Sequence, residues 1–196
     1  IIDSLNDSQR EAVTADLGNM LVLAGAGSGK TRVLVHRIAW LIEAEHISPY
    51  SILAVTFTNK AAKEMRGRIE SLLNVNVHGM WVGTFHGLAH RLLRSHWQDA
   101  GLRENFQIMD SDDQLRLVKR ISKEMGLDDS RWPPKQIQWY INAQKDEGLR
   151  SRHLERSGDL VQDTLIRVYE AYEQACDRGG MIDFGELLLR CLELLR

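Results

Sequence analysis

The sequence predicts an α/β protein, in which helices cover a parallel β-sheet and a mostly helical lobe follows. A glycine-rich loop lies between an apolar run and an amphipathic helix over residues 21–42. Two further alternations of a strand pattern with a helix pattern follow in residues 52–96. After about residue 97 the strand signals nearly vanish and helical periodicity dominates. Alternation of this kind is typical of a parallel sheet, because parallel strands need long crossover connections.

The first predicted elements surround the glycine-rich loop. Asn6 or Asp7 is expected to cap a helix that runs through Val13, because both side chains accept hydrogen bonds from the N–H groups of a first helical turn. Leu21–Leu23 is predicted as a short strand that leads into the loop. The helix after the loop carries apolar residues at a spacing that predicts one buried face. These residues are Leu34, Ile38, Leu41 and Ile42.

Two further strand–helix pairs follow. The apolar segment Ile52–Phe57 comes after a turn at Pro49 and predicts a second strand. Asn59 is expected to cap the helix that follows it. A third short strand is predicted at Trp81–Gly83, and it leads into a helix from about Phe85 to His96.

The second half of the chain is predicted to be helical. Apolar residues recur at helical spacing in residues 115–121, 137–141, 165–172 and 184–188. Ser111 or Asp112 is expected to cap the first of these helices, and Pro133–Pro134 is expected to begin the second. Glycines such as Gly148 and Gly158 separate the remaining segments.

Composition excludes several classes of protein. The 196 residues carry a formal net charge of −2, so nucleic acid would have to be bound by a local basic surface. The two cysteines, Cys176 and Cys191, have no metal-binding spacing and are expected to be core thiols in a reducing cytoplasm. No apolar run is long enough to cross a bilayer. The chain stops inside an amphipathic segment, so we expect it to be a piece of a longer protein.

The glycine-rich loop is the most informative motif. Residues 24–31 read Ala-Gly-Ala-Gly-Ser-Gly-Lys-Thr, which differs from the phosphate-binding pattern G-x-x-x-x-G-K-[ST] only in Ala24 at the first position. Backbone N–H groups of such a loop surround phosphate, Lys30 binds the outer phosphates, and Thr31 offers a hydroxyl to Mg2+. A glycine-rich turn with a solvated lysine is the alternative. The candidate nucleotide residues are Ala24, Gly25, Ala26, Gly27, Ser28, Gly29, Lys30 and Thr31.

Two further blocks follow predicted strands, at the edge where parallel sheets bind ligands. In residues 56–62, Phe57 is suited to stacking on a base and Lys60 to binding the adjacent phosphate. The alternative makes Phe57 a core residue and Thr58 and Asn59 a plain helix cap. Residues 83–87 form the second block.

A basic stripe follows the second block. It consists of His90, Arg91, Arg94 and His96, with no acidic residue between Phe85 and Trp97. A solvated helix face is the alternative interpretation of this stripe. The same design at two strand ends favours nucleic acid.

These motifs together resemble superfamily I DNA helicases of the UvrD, PcrA and Rep group. The resemblance begins with Leu5–Gln9 and includes the glycine loop. It continues through Thr56–Ala62 and Trp81–Gly87 in the first half, and through Gln144–Gly148 and Asp183–Leu188 in the second. It therefore covers essentially the whole chain.

The resemblance implies a P-loop NTPase fold of the RecA-like type, with a parallel sheet that is incomplete in this chain. Residues 1–88 would begin the ATP-binding motor domain, and residues 89–196 would form an inserted, mostly helical subdomain. It further implies a cytoplasmic hydrolase that uses ATP and Mg2+ to move 3′-to-5′ on single-stranded DNA. Such a protein unwinds duplexes in DNA repair. Its partners would be single strands, single-strand/duplex junctions and repair accessory proteins, with no membrane.

The resemblance also assigns roles to single residues. Gln9 would read the adenine edge, and Arg32 would contact the adenine and the sugar. The residues implied to touch single-stranded DNA are Phe57, Thr58, Asn59, Lys60, Thr84, His86 and Phe184.

The family also has an acidic D-E-x-x motif that holds Mg2+ and orients the attacking water, and arginines in a second motor domain. We expect the chain to contain neither this motif nor the second domain. Loss of an arginine finger alone lowers the rate by roughly 10^3 to 10^5. We therefore expect these residues to bind ATP without turnover. Two alternatives remain: a small P-loop phosphotransferase with a helical lid, and a non-catalytic DNA-binding or docking module with a vestigial loop.

Overall fold

The computed structural model describes residues 1–74 and 77–196. The described chain divides into two compact units, Ile1–Leu88 and Ala89–Arg196. No helix in the described part of the chain is both long enough and apolar enough to span a bilayer.

The first unit combines helices with a small parallel sheet. A 3-10 turn at Pro49–Ser51 precedes the first strand. The elements in chain order are α1 (Asp7–Thr14), α2 (Lys30–Glu43), β1 (Leu53–Thr56), α3 (Asn59–Leu73), β2 (Trp81–Thr84) and α4 (Phe85–Ser95), the last of which continues into the second unit. Strands β1 and β2 pair in parallel, with Leu53 opposite Trp81 and Thr56 opposite Thr84.

The second unit is mostly helical. A 3-10 turn occupies Ser151–His153. The other elements are β3 (Gln107–Ile108), α5 (Ser111–Glu124), α6 (Pro134–Asp146), α7 (Leu160–Gly179), β4 (Met181–Ile182) and α8 (Phe184–Leu194). Strands β3 and β4 pair in parallel. The sequence analysis missed them because two residues are too few to show an alternating pattern.

Each unit has its own apolar core. In the first unit, α2, α3 and both strands enclose Ile38, Met65, Ile69 and Val82. In the second, Ile121, Ile141, Tyr169 and Tyr172 lie at the centre of the largest cluster. Helices with small parallel sheets agree with the predicted α/β class. The first sheet has two strands in the described residues, whereas three were predicted.

The predicted strand at Leu21–Leu23 is wrong. This segment has no regular secondary structure, and Leu21 and Leu23 are 82% and 85% exposed. A strand exists through its hydrogen-bonded neighbours, and in the described residues β1 pairs only with β2. Apolar character alone therefore did not suffice to place this segment in the sheet.

Smaller corrections concern caps and one buried face. Helix α1 is capped by Asn6, as one of the two predicted candidates. Thr58, not Asn59, caps α3, and Asp110, not Ser111 or Asp112, caps α5. Each cap lies one or two residues earlier than predicted, since runs of polar residues offer several possible caps. In α2, Leu34 is exposed while Val35 and Ile38 are buried, so the buried face is rotated from the predicted one.

Candidate functional site

The glycine loop is exposed and ends at the first residue of α2. Gly27 and Gly29 have φ values of +75° and +87°, a region that residues with a side chain rarely adopt. Lys30 begins the helix, and its Nζ donates hydrogen bonds to the carbonyl oxygens of Ala24 at 2.9 Å and Gly25 at 2.7 Å. The ammonium therefore lies over the loop, where its charge meets only neutral oxygens.

The hydroxyl residues of the loop have different surroundings. Ser28 Oγ donates to the carbonyl oxygen of Gly25 at 2.7 Å, which closes the loop on itself. Thr31 lies exposed in the first turn of α2, where backbone N–H groups point out of the helix end. A helix N-terminus, an ammonium and a hydroxyl thus lie close together, and these are the groups that phosphate and its cation require.

Helix α1 carries Gln9 to the same loop. Gln9 Nε2 donates to the carbonyl oxygen of Ser28 at 3.2 Å. Arg32 donates to the carbonyl oxygen of Ser4 at 2.7 Å, so its guanidinium lies against the segment before α1. Gln9 therefore contacts the glycine loop, whereas the guanidinium of Arg32, which directly follows the loop in sequence, contacts the segment before α1.

The carboxyl ends of β1 and β2 form a second candidate surface. Phe57 directly follows β1 and is 93% exposed, which excludes the alternative that it is a core residue of the described structure. Thr58 Oγ1 accepts from the N–H of Ala61 at 3.1 Å, so it is also a helix cap. Asn59 and Lys60 follow it in the first turn of α3, and both are exposed.

Strand β2 brings the second block to the same edge. Thr84 is the last residue of β2 and lies opposite Thr56 in the ladder. Its Oγ1 accepts from the N–H of Gly87 at 3.1 Å, and His86 is exposed in the turn that this bond closes. A Cβ at Gly83 would lie 3.1 Å from the Leu88 side chain, so this close approach favours glycine.

Phe184 lies in the second unit, at the first residue of α8, and is about half exposed. Asp183 caps this helix, with its Oδ1 accepting from the N–H of Glu186 at 2.7 Å. Tyr172 Oη donates to Asp183 Oδ2 at 2.6 Å. The exposed ring of Phe184 therefore lies at a helix end that Asp183 and Tyr172 hold in place through hydrogen bonds.

A buried ion cluster supplies this fixation. Lys145, whose side chain is only 2% exposed, lies 2.7 Å from Asp183 and 2.9 Å from Glu186. Arg150 and Arg190 bind Glu186 from the other side, at 2.8 and 2.6 Å. Burial alone would lower the pKa of Lys145, but the carboxylates of Glu186 and Asp183 outweigh it and raise that pKa. Burial would raise the pKa of Glu186, but Lys145 and Arg150 hold that pKa well below its usual range.

No pattern in the sequence predicted this cluster. Its members are scattered over residues 145–193, and charged residues are seldom buried. The available signal was the block Gln144–Gly148, which includes Lys145 and resembles the helicase family.

The comparisons with known proteins decide the family. Residues 5–196 match the family described as the UvrD/REP helicase N-terminal domain. This chain belongs to that family. It is 66% identical to DNA helicase II of Escherichia coli K12 and 59% identical to DNA helicase II of Haemophilus influenzae, over 99% of this chain in both cases. It is 39% identical to the ATP-dependent DNA helicase PcrA of Bacillus subtilis, again over 99% of this chain. The chain spans about a quarter of the length of these relatives, 27%, 27% and 26%.

The basic stripe of this UvrD/REP chain is partly structural. Arg94 lies 3.8 Å over the ring of Phe106 and donates to the carbonyl oxygens of Glu104 and Phe106, at 3.2 and 2.7 Å. It also donates to His90 Nε2 at 2.9 Å. Burial, and then the charge of Arg94, lower the pKa of His90. Arg94 therefore holds the loop before β3, a role that the charge pattern did not predict.

The one adjacent Asp-Glu pair in the sequence is Asp146–Glu147. Asp146 is the last residue of α6, and Glu147 is its C-cap. Residues 146–149 thus match the letters of the D-E-x-x motif, which was expected to be absent, but the pair lies at the end of a helix in the second unit. Among the described residues, no group of three or more His, Cys, Asp or Glu side chains is arranged to hold a metal ion.

Proposed function

We propose that this chain is the ATP-binding and single-strand-contacting part of an ATP-dependent 3′-to-5′ DNA helicase. The glycine loop at the start of α2 carries this proposal. Gly27 and Gly29 have backbone conformations that favour glycine, and Lys30 lies over the loop with only carbonyl partners. A triphosphate would exchange these neutral oxygens for charged ones, which form stronger hydrogen bonds with an ammonium.

Mg2+ fits the same surface. Thr31 places a hydroxyl oxygen beside Lys30 in the first turn of α2, and Mg2+ takes oxygen ligands together with phosphate oxygens. Bound Mg2+ would neutralise part of the phosphate charge. Gln9 and Arg32 lie at the loop and are proposed to contact the base and the sugar.

Single-stranded DNA is proposed to bind at the carboxyl ends of β1 and β2. Phe57 offers an exposed ring for base stacking, and Lys60 offers a charge for the phosphate backbone. Thr58, Asn59, Thr84 and His86 add polar groups at that edge. In the second unit, Phe184 offers a further exposed ring, which we assign to the same ligand.

We assign residues 1–88 to the first part of a RecA-like P-loop motor domain and residues 89–196 to its inserted helical subdomain. In the whole protein, the motor would act in the cytoplasm in DNA repair, at junctions of single strand and duplex, together with accessory proteins. Residues 1–196 alone are proposed to bind ATP without turnover, since their one Asp-Glu pair ends a helix.

Binding of MgATP to wild-type and Lys30→Ala protein tests this proposal. We expect Lys30→Ala to weaken binding by roughly tenfold or more, because it removes the charge that faces the outer phosphates. Lys63→Ala removes an exposed lysine from α3 and serves as the matched control. Equal affinity of wild-type and Lys30→Ala protein would contradict the nucleotide site and favour a vestigial loop.

Turnover of MgATP with and without single-stranded oligonucleotide separates the alternatives. We expect no turnover in either condition from folded protein, and we expect binding of the oligonucleotide. Phosphate transfer to a small acceptor without any affinity for DNA would indicate a phosphotransferase instead. Turnover stimulated by DNA would show that residues 1–196 hold a catalytic carboxylate.

A further inference from the structure

The side-chain amide of Gln9 is held at both of its ends. The N–H of Gln9 donates to Asn6 Oδ1 at 2.9 Å, and in return the N–H of Asn6 donates to Gln9 Oε1 at 3.3 Å. At the other end of the amide, Gln9 Nε2 donates to the carbonyl oxygen of Ser28 in the glycine loop. Asn6 and Gln9 thus form a reciprocal capping box at the start of α1. The amide nitrogen of Gln9, which takes no part in this box, contacts the glycine loop.

These two contacts fix the direction of the amide. The oxygen and nitrogen of a glutamine amide have nearly the same shape but opposite hydrogen-bonding roles. The N–H of Asn6 needs the oxygen, and the carbonyl of Ser28 needs the nitrogen. A flipped amide would place N–H against N–H and oxygen against oxygen, so the two contacts together favour one orientation.

These contacts use two of the four hydrogen-bonding positions of the Gln9 amide. A carbonyl oxygen has two lone pairs and an NH2 group has two hydrogens. Asn6 occupies one lone pair of Gln9 and Ser28 occupies one hydrogen. One acceptor and one donor are left for a ligand. Adenine presents a complementary N6 donor and N7 acceptor along one edge, whereas guanine presents two acceptors, O6 and N7.

Helix α1 cannot easily move away from the loop. Arg32 donates to the carbonyl oxygen of Ser4, and Arg37 donates to the carbonyl oxygen of Val13 at 2.8 Å, so α2 holds α1 near both of its ends. A Cβ at Gly29 would lie 2.9 Å from Gln9 Nε2, and glycine permits this close approach. The position of Gln9 is therefore set by the contacts of Arg32 and Arg37 that hold α1. The orientation of its side-chain amide is set by Asn6 and Ser28.

We propose that Asn6 is a positioning residue that sets the preference of the nucleotide site for adenine, by fixing the orientation of the Gln9 amide. This inference rests on the proposed nucleotide function of the loop. It assigns to Asn6 an effect on which base is bound, in addition to its effect on the helix end.

Three variants of Asn6 separate the two halves of the capping box. Asn6→Asp keeps both a side-chain acceptor and the backbone N–H. Asn6→Ala removes the acceptor and keeps the N–H. Asn6→Pro removes both, and the φ of −74° at this position suits proline. Asp110→Ala removes the equivalent cap from α5 in the second unit and is the control.

The probes are MgATP, MgGTP and the magnesium complex of 7-deaza-ATP, which lacks the N7 acceptor. We expect Asn6→Ala to keep the ratio of ATP to GTP affinity, because it keeps the backbone N–H that donates to the Gln9 amide oxygen and removes only the helix cap. Asn6→Pro removes this N–H, so it should lower the ratio of ATP to GTP affinity about fivefold, the effect of one hydrogen bond, and should reduce the difference between ATP and 7-deaza-ATP. Asn6→Asp and Asp110→Ala should keep both ratios of the wild type.

The outcomes separate this inference from the proposed function. Circular dichroism establishes that each variant is folded before titration. If the ratio of ATP to GTP affinity is the same in wild type, Asn6→Ala and Asn6→Pro, the inference is overturned. This holds even if Lys30→Ala no longer binds ATP. A parallel fall in the affinity of Asn6→Pro for all three nucleotides also overturns it, since this is the effect of a helix cap alone. Wild-type protein that does not bind MgATP, or binding that survives Lys30→Ala, refutes the proposed function and this inference with it.

Discussion

Replacement of Lys145 by Met should destabilise the second unit strongly. Its Nζ lies within 3 Å of both Asp183 and Glu186, and its side chain is almost fully buried. Removing one partner of a buried ion pair costs about 3–5 kcal/mol, because it leaves charge without compensation. Here Asp183 keeps the hydroxyl of Tyr172, and Glu186 keeps Arg150. The expected loss therefore lies near the lower end of that range, at about 3 kcal/mol.

Urea unfolding followed by circular dichroism measures this loss. For a unit of this size, about 3 kcal/mol corresponds to a fall in Tm of roughly 12 °C. Arg68→Met is the matched control, because Arg68 pairs with Glu64 on the exposed face of α3. An exposed pair of this kind contributes about 0–1 kcal/mol. A loss below about 1 kcal/mol in Lys145→Met would refute the view that the lysine compensates buried carboxylates.

The loss should also depend on pH. The folded-state pKa of Glu186 lies below its ordinary value of 4.5, so its stabilising contribution is complete above that pH and is lost as the pH falls through the folded-state value. Met at position 145 removes one of the charges that lower this pKa. The difference between wild type and variant should thus be largest at about pH 7 and smaller at about pH 4. An equal difference at both pH values would show that the loss comes from packing and not from charge.

Two other substitutions test the remaining surfaces. Phe57→Ala should weaken binding of single-stranded oligonucleotide by about 1–3 kcal/mol in a fluorescence titration, since each stacked base contributes about that much. Tyr50→Ala, an exposed aromatic before the amino end of β1, should leave it unchanged. Arg94→Ala should lower the free energy of unfolding by about 1–3 kcal/mol, because the Glu104 and Phe106 carbonyl groups lose a charged donor. Weaker DNA binding by Arg94→Ala without loss of stability would place Arg94 on the DNA surface instead.

The sequence predicted well those elements whose pattern is local. The cap at Asn6, the helix after the glycine loop and the two strands before Phe57 and Phe85 each depend on a few adjacent residues, and the structure has them within one or two positions. Local signals are strong there because glycine, cap residues and short apolar runs act within one turn or one strand.

The predictions that failed depend on distant residues. Leu21–Leu23 has the composition of a strand, but a strand needs partners that its own sequence does not specify. The charge of Arg94 indicated a ligand surface, yet its partners are Glu104 and Phe106. In the ion cluster, Lys145 is 38 positions from Asp183 and Arg150 is 36 positions from Glu186, so no local pattern contains it. Contacts of this kind follow from the packing of helices.

The ion cluster of the second unit also has an evolutionary consequence. Lys145 pairs with both Asp183 and Glu186, and Arg150 and Arg190 also pair with Glu186, so Lys145 is the cation that Asp183 depends on. A single substitution leaves a buried charge unpaired, while a joint substitution of both partners by apolar residues is often tolerated. Relatives that have lost Lys145 should therefore also differ at Asp183 or Glu186, and a segment transplanted between relatives should carry all of these positions together.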